Sequence, residues 1–255
     1  KNKHNTHHAI PNLLCSDALA NGDPDINTAP FLAWATSVGQ VMHSTGGFAR
    51  FCIKYQAVLY FPILFLARIS WLIQSFKYVA QPRSSPWGKA FDNTEFKTLP
   101  HNTLEVISLG MYYAWNVWLL ASMPALHALA FVFVSQCMCG LFLAIAFGVG
   151  HNGMSVYDYD ARPGFGELQV TTTRNVDGNF LVGWFMGGLH YQVEHHLFPS
   201  IPRHNLHKVR ALVEPLCKQH GVPYHSTSLW AGTVEVLQHL HAVTIDVLES
   251  FPAMQ

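Results

Sequence analysis

Charge is what this sequence has least of. Of its 255 residues only 15 are Lys or Arg and 15 are Asp or Glu, about half of the roughly 25% usual in soluble domains. That argues against an ordinary soluble globule. The equal numbers leave no net charge to hold a polyanion, so no nucleic-acid partner is expected. With half of the residues hydrophobic and 13% aromatic, disorder is excluded as well. Cysteine is sparse: Cys15, Cys52, Cys137, Cys139 and Cys217 form no C-x-x-C pair, which signals neither a disulfide framework nor a thiolate zinc site. No initiator Met, signal peptide or apolar leader stands before Lys1, so the chain reads as one cut inside a functional region. What is abundant is histidine, 16 residues, several of them clustered.

Long apolar runs are also present. No Asp, Glu, Lys or Arg occurs from Val106 through Gly150, and Pro124 divides that stretch into two segments, about 104–122 and 125–149. Each is long enough to cross a bilayer core as a helix. Lys77, Arg83, Lys89 and Lys97 precede the pair, so the positive-inside rule places its entry, and its exit at His151, in the cytosol. The stretch Phe51 to Ala80 is interrupted by Lys54, Pro62, Arg68 and Lys77. Its charge-free part, Tyr55 to Ala67, is too short to span and reads as part of an interfacial segment at about 51–80. Gln81 to Pro100 and Tyr157 to Asp177 are polar and rich in turn residues, and read as loops. Leu206, Val209, Val213 and Leu216, and again Val236, Leu237, Leu240, Val243 and Val247, recur at helical spacing. The expected fold class is an all-α membrane protein: a helical transmembrane hairpin plus an interfacial helix, with a cytosolic helical cap carrying the histidine boxes.

The chemistry lies in those boxes. His4-Asn5-Thr6-His7-His8 puts imidazoles at i, i+3 and i+4, within one helical arc of about 100°, so that they can converge on one point. Pro11 ends the turn. Gln192-Val193-Glu194-His195-His196 repeats the spacing with Gln in the first place and Pro199 at the same interval after the last His. Imidazole suits iron, copper, nickel or zinc, and six such positions exceed the needs of one tetrahedral zinc. Two metal ions are the natural count. His151, at the end of the second apolar segment, would complete the cage. His190 falls on another helical face from Gln192 and reads as a supporting or structural residue. Asp17, Asp23, Asp25, Asp158 and Glu194 are candidates to hold ligand imidazoles in the required tautomer. Met111, Tyr112, Trp115, Trp118 and Phe142 are candidate walls of an apolar tunnel, with lipid-facing or helix-packing roles as the plain alternative. Arg203, His204, His207, Lys208 and Arg210 form a basic face suited to an acidic partner or a headgroup layer.

These residues resemble a known family, the membrane front-end fatty acyl desaturases, through both boxes and through Gly150-His151-Asn152-Gly153-Met154. The similarity continues in Gly22-Asp23-Pro24-Asp25, Leu168-Gln169-Val170-Thr171-Thr172-Thr173-Arg174-Asn175, Leu197-Phe198-Pro199 and Phe251-Pro252-Ala253-Met254, so residues 1–255 read as the C-terminal part of a desaturase domain. The resemblance implies two non-haem iron ions held by His4, His7, His8, His151, Gln192, His195 and His196, with Gln192 the weakest donor. It also implies molecular oxygen, electrons from cytochrome b5 and its reductase, a fatty acyl lipid or acyl-CoA substrate, and a multi-pass endoplasmic reticulum membrane location with the boxes facing the cytosol. A first H-x-x-x-H box and the His-Pro-Gly-Gly haem signature of a fused cytochrome b5 domain do not occur here, so activity of this stretch alone is not expected. The segment Thr233 to Leu240 and the ending resemble Δ6 enzymes most, with Δ5 next. The same metal chemistry serves a di-iron fatty acyl or sterol hydroxylase. A b-type haem carrier would place single histidines facing each other within spans, and a metal transporter would place polar residues there. Only Asn116, His127 and Gln136 stand out between Val106 and Val149.

Overall fold

The computed structural model of the chain describes residues 2–14, 22–80, 101–158, 160, 161 and 163–251. It is predominantly helical and divides into two compact units, one made of residues 3–60 and 145–255, the other of residues 61–144. The expected loop at Gln81 to Pro100, with its basic residues, and the Pro252 to Met254 ending lie outside the described residues.

In the first unit, α1 (Asn2–Ala9) carries the first box, and α2 (Thr36–Thr45) packs with the first half of α3 (Gly47–Phe65) and with α11 (Leu229–Ser250). Val38, Met42, Cys52, Ile53, Val243 and Val247 form that core. The helices approach closely because position 39 is glycine: a Cβ there would lie 2.6 Å from Val247 Cγ2. A second cluster joins Val170 of α7 (Phe165–Thr171), Val193 of α9 (Gln192–Leu197), and Val213 and Cys217 of α10 (Leu206–His220). Gly221 closes α10 with a left-handed φ of 67°, the usual role of glycine after a helix C-terminus. Helix α8 (Phe180–Phe185) follows β1 (Asn175–Asp177), which pairs in parallel with β2 (Ser226–Ser228) in the register Asn175↔Ser226.

The two apolar segments expected as spans form α5 (His101–Ala121) and α6 (Ala125–Gly148), separated by Ser122 to Pro124. Residues Phe133–Met138 of α6 are π-helical. In the second unit, α6 comes against the start of α4 (Ala67–Ala80): a Cβ on Gly140 would lie 2.9 Å from Arg68 N, the close backbone approach that small residues allow between apolar helices.

One expectation needs correction, and one helix is longer than its charge-free run. Among the described residues, the helices long and apolar enough to cross a membrane are Gly47–Phe65 and Ala125–Gly148. The first exceeds the charge-free run because it begins at Gly47 and takes in Arg50 and Lys54. The polar segment 157–177, expected as a loop, contains α7. Its threonines turn inward: Thr171, Thr172 and Thr173 donate their hydroxyls to the carbonyls of Glu167, Leu168 and Gln169, so three polar side chains are satisfied within one helical turn and bury.

Candidate metal centre

The three histidines of α1 do not aim at one point. They split between two groups, each drawing one member from the second box. His4, His8 and His195 bring ring nitrogens within 4.8 Å of one another, and so do His7, His151 and His196. The division follows from helix geometry: residues four apart lie on one stripe, whereas residue i+3 and adjacent residues are displaced around the axis. His195 and His196, successive on α9, therefore serve different groups. The groups abut, since the rings of His8 and His196 stack with centroids 4.2 Å apart.

Distances within the groups fit metal coordination. His8 Nε2 lies 3.2 Å from His4 Nε2, and His7 Nε2 lies 3.3 Å from His151 Nε2. Two nitrogens bound to one ion at about 2.1 Å, with an angle of roughly 90–109° between them, would lie about 3.0–3.4 Å apart. His196 Nε2 is buried with no hydrogen-bond partner, a cost a native interior does not ordinarily leave standing. The donor set and this bare nitrogen fit two borderline cations such as iron.

The surrounding side chains fix the rings. Asp23, buried, accepts from His7 Nδ1 at 2.9 and 3.0 Å, from the Asn12 N–H at 2.7 Å and from the Asp25 N–H at 2.9 Å. With Nδ1 thus engaged, His7 presents Nε2 to the site. Asp25 is exposed and sits 3.7 Å from His7 Nδ1 and 3.6 Å from Lys3. Glu194 is fully buried but touches no imidazole: it accepts from Asn175 Nδ2 at 2.7 Å and from the Tyr224 hydroxyl at 2.6 Å, anchoring α9 from behind. Asp158 is exposed, beside a surface depression lined by Trp34, His239 and Asp246. The ring of His190 stands over Tyr191, and its carbonyl accepts from the Val176 N–H. Asp17 lies outside the described residues.

Gln192 reaches the centre at its edge, its amide nitrogen 2.7 Å from His151 Nε2. Gly150 makes room for it: a Cβ there would lie 2.9 Å from Gln192 Cγ. The structure adds three residues whose roles the sequence did not reveal. Asn12, in the left-handed region at φ 51°, donates to the carbonyls of His151 and Ser155 at 3.2 Å. Gln169 Oε1 lies 2.9 Å from His196 Nδ1 while its Nε2 donates to the His8 carbonyl at 3.1 Å. Arg174, fully buried, donates from its main chain to Gly150 O and from its guanidinium to Asn152 O and Glu235, holding the His151 turn from both sides. Gln169 and Arg174 belong to a motif read from the sequence, but nothing local marked either as a partner of a ligand.

Burial and the neighbouring imidazoles hold His151 and His196 well below the ordinary histidine range and lower His8 to about 4; burial, the charge of Arg203 and the imidazoles lower His195 to about 4. Burial also lowers His4. These rings are neutral, which is the ligating form. His7 differs: burial opposes its charge, but the hydrogen bond and negative charge of Asp23 outweigh burial and raise it.

Of the candidate tunnel residues, Met111, Trp115, Trp118 and Phe142 are exposed, and half-buried Tyr112 lies under the guanidinium of Arg68, 5.9 Å from the ring centre.

Two histidine boxes far apart in sequence are thus brought together as paired three-imidazole groups that could each hold a metal ion, in a helical protein with helices long and apolar enough to cross a membrane. The family follows directly: residues 1–228 match the fatty acid desaturase family, and the chain belongs to it. It is 36% identical over 244 residues to the acyl-lipid (9-3)-desaturase of Physcomitrium patens, covering 95% of this chain and 43% of that protein. Identity is 31% over 247 residues to the Delta(6)-fatty-acid desaturase fat-3 of Caenorhabditis elegans (94% and 52%) and 32% over 260 residues to a Delta(8)-fatty-acid desaturase of Euglena gracilis (99% and 57%). The chain thus spans about half the length of the curated relatives it matches. No solved structure matches it.

Proposed function

We propose that this chain carries the metal centre of an oxygen-dependent front-end fatty acyl desaturase, with one iron ion held by His4, His8 and His195 and the other by His7, His151 and His196. The observation that carries this reading is the convergence of residues 144 positions apart, His7 and His151, whose Nε2 atoms meet at 3.3 Å beside the unpartnered Nε2 of His196. Bound there, iron supplies with molecular oxygen and two electrons the oxidising power to remove two hydrogens from an acyl chain. The chain's own residues orient the ligands: Asp23 acts through His7, Gln169 through His196, and the Arg174 and Asn12 contacts hold the His151 turn. Gln192 adds a neutral amide at the edge of the His151 group.

Electrons come from cytochrome b5 and its reductase. His204, His207 and Lys208 are exposed for such an acidic partner, whereas Arg210 is already engaged by Asp177 and Glu214. The substrate is a fatty acyl lipid or acyl-CoA, with Δ6 placement first and Δ5 next. The relatives include enzymes named for both positions as well as for Δ8.

The centre faces the cytosol from the endoplasmic reticulum membrane, and an even number of crossings separates the boxes. Packing of α3 supports this count. Its face Cys52, Ile53, Gln56 and Tyr60 is buried; Gln56 donates to Leu240 O and accepts from the Ala33 N–H, and Thr244 donates to Ile53 O. That face is joined to α11, which carries Glu235, Asp246 and Glu249 and does not enter a hydrocarbon layer. This reading keeps α3 with the cap and has α5 and α6 cross.

Expression of the intact gene in yeast, with single polyunsaturated precursors supplied, tests the activity. A new double bond between an existing one and the carboxyl end, absent in His195→Ala, is the expected result. Unchanged acyl chains with every precursor, from a protein shown to be expressed and loaded with iron, would contradict it.

A further inference from the structure

How Gln169 acts on His196 follows from the two ends of its amide. It is fully buried on α7, outside both boxes. Its amide spans them, lying 3.1 Å from the His8 carbonyl on one side and 2.9 Å from His196 Nδ1 on the other. Amide nitrogen and oxygen are alike in shape, so their assignment must come from the partners. The His8 carbonyl can only accept, which puts the NH2 group on that side. The oxygen then faces His196 Nδ1 and requires a proton there. A neutral imidazole with its proton on Nδ1 has a bare lone pair on Nε2, and His196 Nε2 is the buried atom with no partner. The backbone of the first box thereby dictates the tautomer of a ligand in the second.

We infer that Gln169 is a positioning residue that locks His196 in the Nδ1–H tautomer, with Nε2 turned to the buried metal position, and that it ties this ring to the helix carrying the first box. The inference rests on the two-ion reading proposed above. Its partners differ between the groups: His196 has the amide of Gln169 and His7 the carboxylate of Asp23, while His8 Nδ1 is buried with no partner. Gln169 therefore sets a ring only in the His7, His151 and His196 group; on the other group it makes a main-chain bond, to His8 O, and touches no ring nitrogen there.

Two measurements test it. Gln169→Met keeps length and apolar volume but removes both hydrogen bonds. Cobalt(II) titration of the purified intact protein, followed by its d–d bands, should show two sites in the unaltered protein. In Gln169→Met one site should weaken about 10–100-fold, the usual effect of removing a ligand's hydrogen-bond partner, and the other should stay within a few-fold. Gln169→Glu keeps an acceptor for His196 and should restore part of the lost affinity. Two sites of unchanged affinity in Gln169→Met, or equal weakening of both, would overturn the inference; fewer than two sites in the unaltered protein would overturn the two-ion reading instead. Should Gln169→Met fail to fold, nitrogen-15 NMR of histidine-labelled, metal-free, unaltered protein decides alone: an Nδ1–H tautomer for His196 is expected, and an Nε2–H tautomer overturns the inference.

Discussion

His7 Nε2 stands 3.3 Å from His151 Nε2, with Asp23 holding the far nitrogen of the His7 ring. Asp23 raises His7 while burial lowers His151, so His7 is the ring of this pair that a proton prefers. A cation entering the group competes with a proton there. Metal binding should therefore release protons, and metal affinity should fall as pH is lowered from 7 to 5. Calorimetric titration in buffers of different ionisation enthalpy measures the released protons; an enthalpy independent of buffer would contradict the assignment.

The stability of the metal-free chain should follow the same groups. His8 and His195 are lowered to about 4, with His4, His151 and His196 also lowered. The unfolded chain then binds more protons below pH ~6.5 than the folded one, and stability falls as pH drops from about 6.5 toward 4. His7 works in the opposite sense: its contribution is present below about 6.5 and lost as pH rises through its raised folded value. One such group against five leaves a net loss on acidification. Thermal unfolding of the metal-free protein at pH 7, 6 and 5 should show a falling Tm, and a rising one would contradict the neutral cluster.

The boxes were legible because their spacing is local: three positions within one helical turn carry the signal, as His4, His7 and His8 and again Gln192, His195 and His196 show. The division of the rings between two groups was not, because it depends on where α9 meets α1. Gln169 and Asn12 escaped for a related reason. Their function is a hydrogen bond to a partner 161 and 139 residues away, and an amide in a polar stretch has no local pattern to announce it. The helical spacing of Leu206 to Leu216 and of Val236 to Val247 gave α10 and α11 correctly, since amphipathic periodicity is a property of the segment itself. The threonine run misled because polarity was taken for exposure, when its hydroxyls return to carbonyls one turn back.

Gly150→Ala should disturb the centre without touching a ligand. The added methyl group would meet Gln192 Cγ at 2.9 Å and Cβ at 3.2 Å, pushing the amide off His151. Overpacking of this kind costs about 1–3 kcal/mol. Chemical denaturation should report that loss together with weaker metal binding, and unchanged values for both would show that Gln192 has room to move.

Tyr224→Phe removes the hydroxyl that donates to buried Glu194 at 2.6 Å. Burial and the Glu194 carboxylate both raise the Tyr224 phenol, so it stays a donor across the physiological range. Losing a hydrogen bond to a buried carboxylate costs about 1.5–3 kcal/mol. The variant should unfold earlier yet still bind two ions, because Glu194 supports α9 rather than a ring; loss of one ion would make Glu194 part of the ligand support.

Metal stoichiometry of the purified intact protein, loaded anaerobically with iron(II) and freed of excess, bears most directly on the central claim. Two ions per chain are expected in the unaltered protein, and one each in His195→Ala and in His196→Ala, because those neighbouring residues serve different ions. Two ions retained in both variants, or a single ion in the unaltered protein, would contradict the assignment of two three-histidine groups.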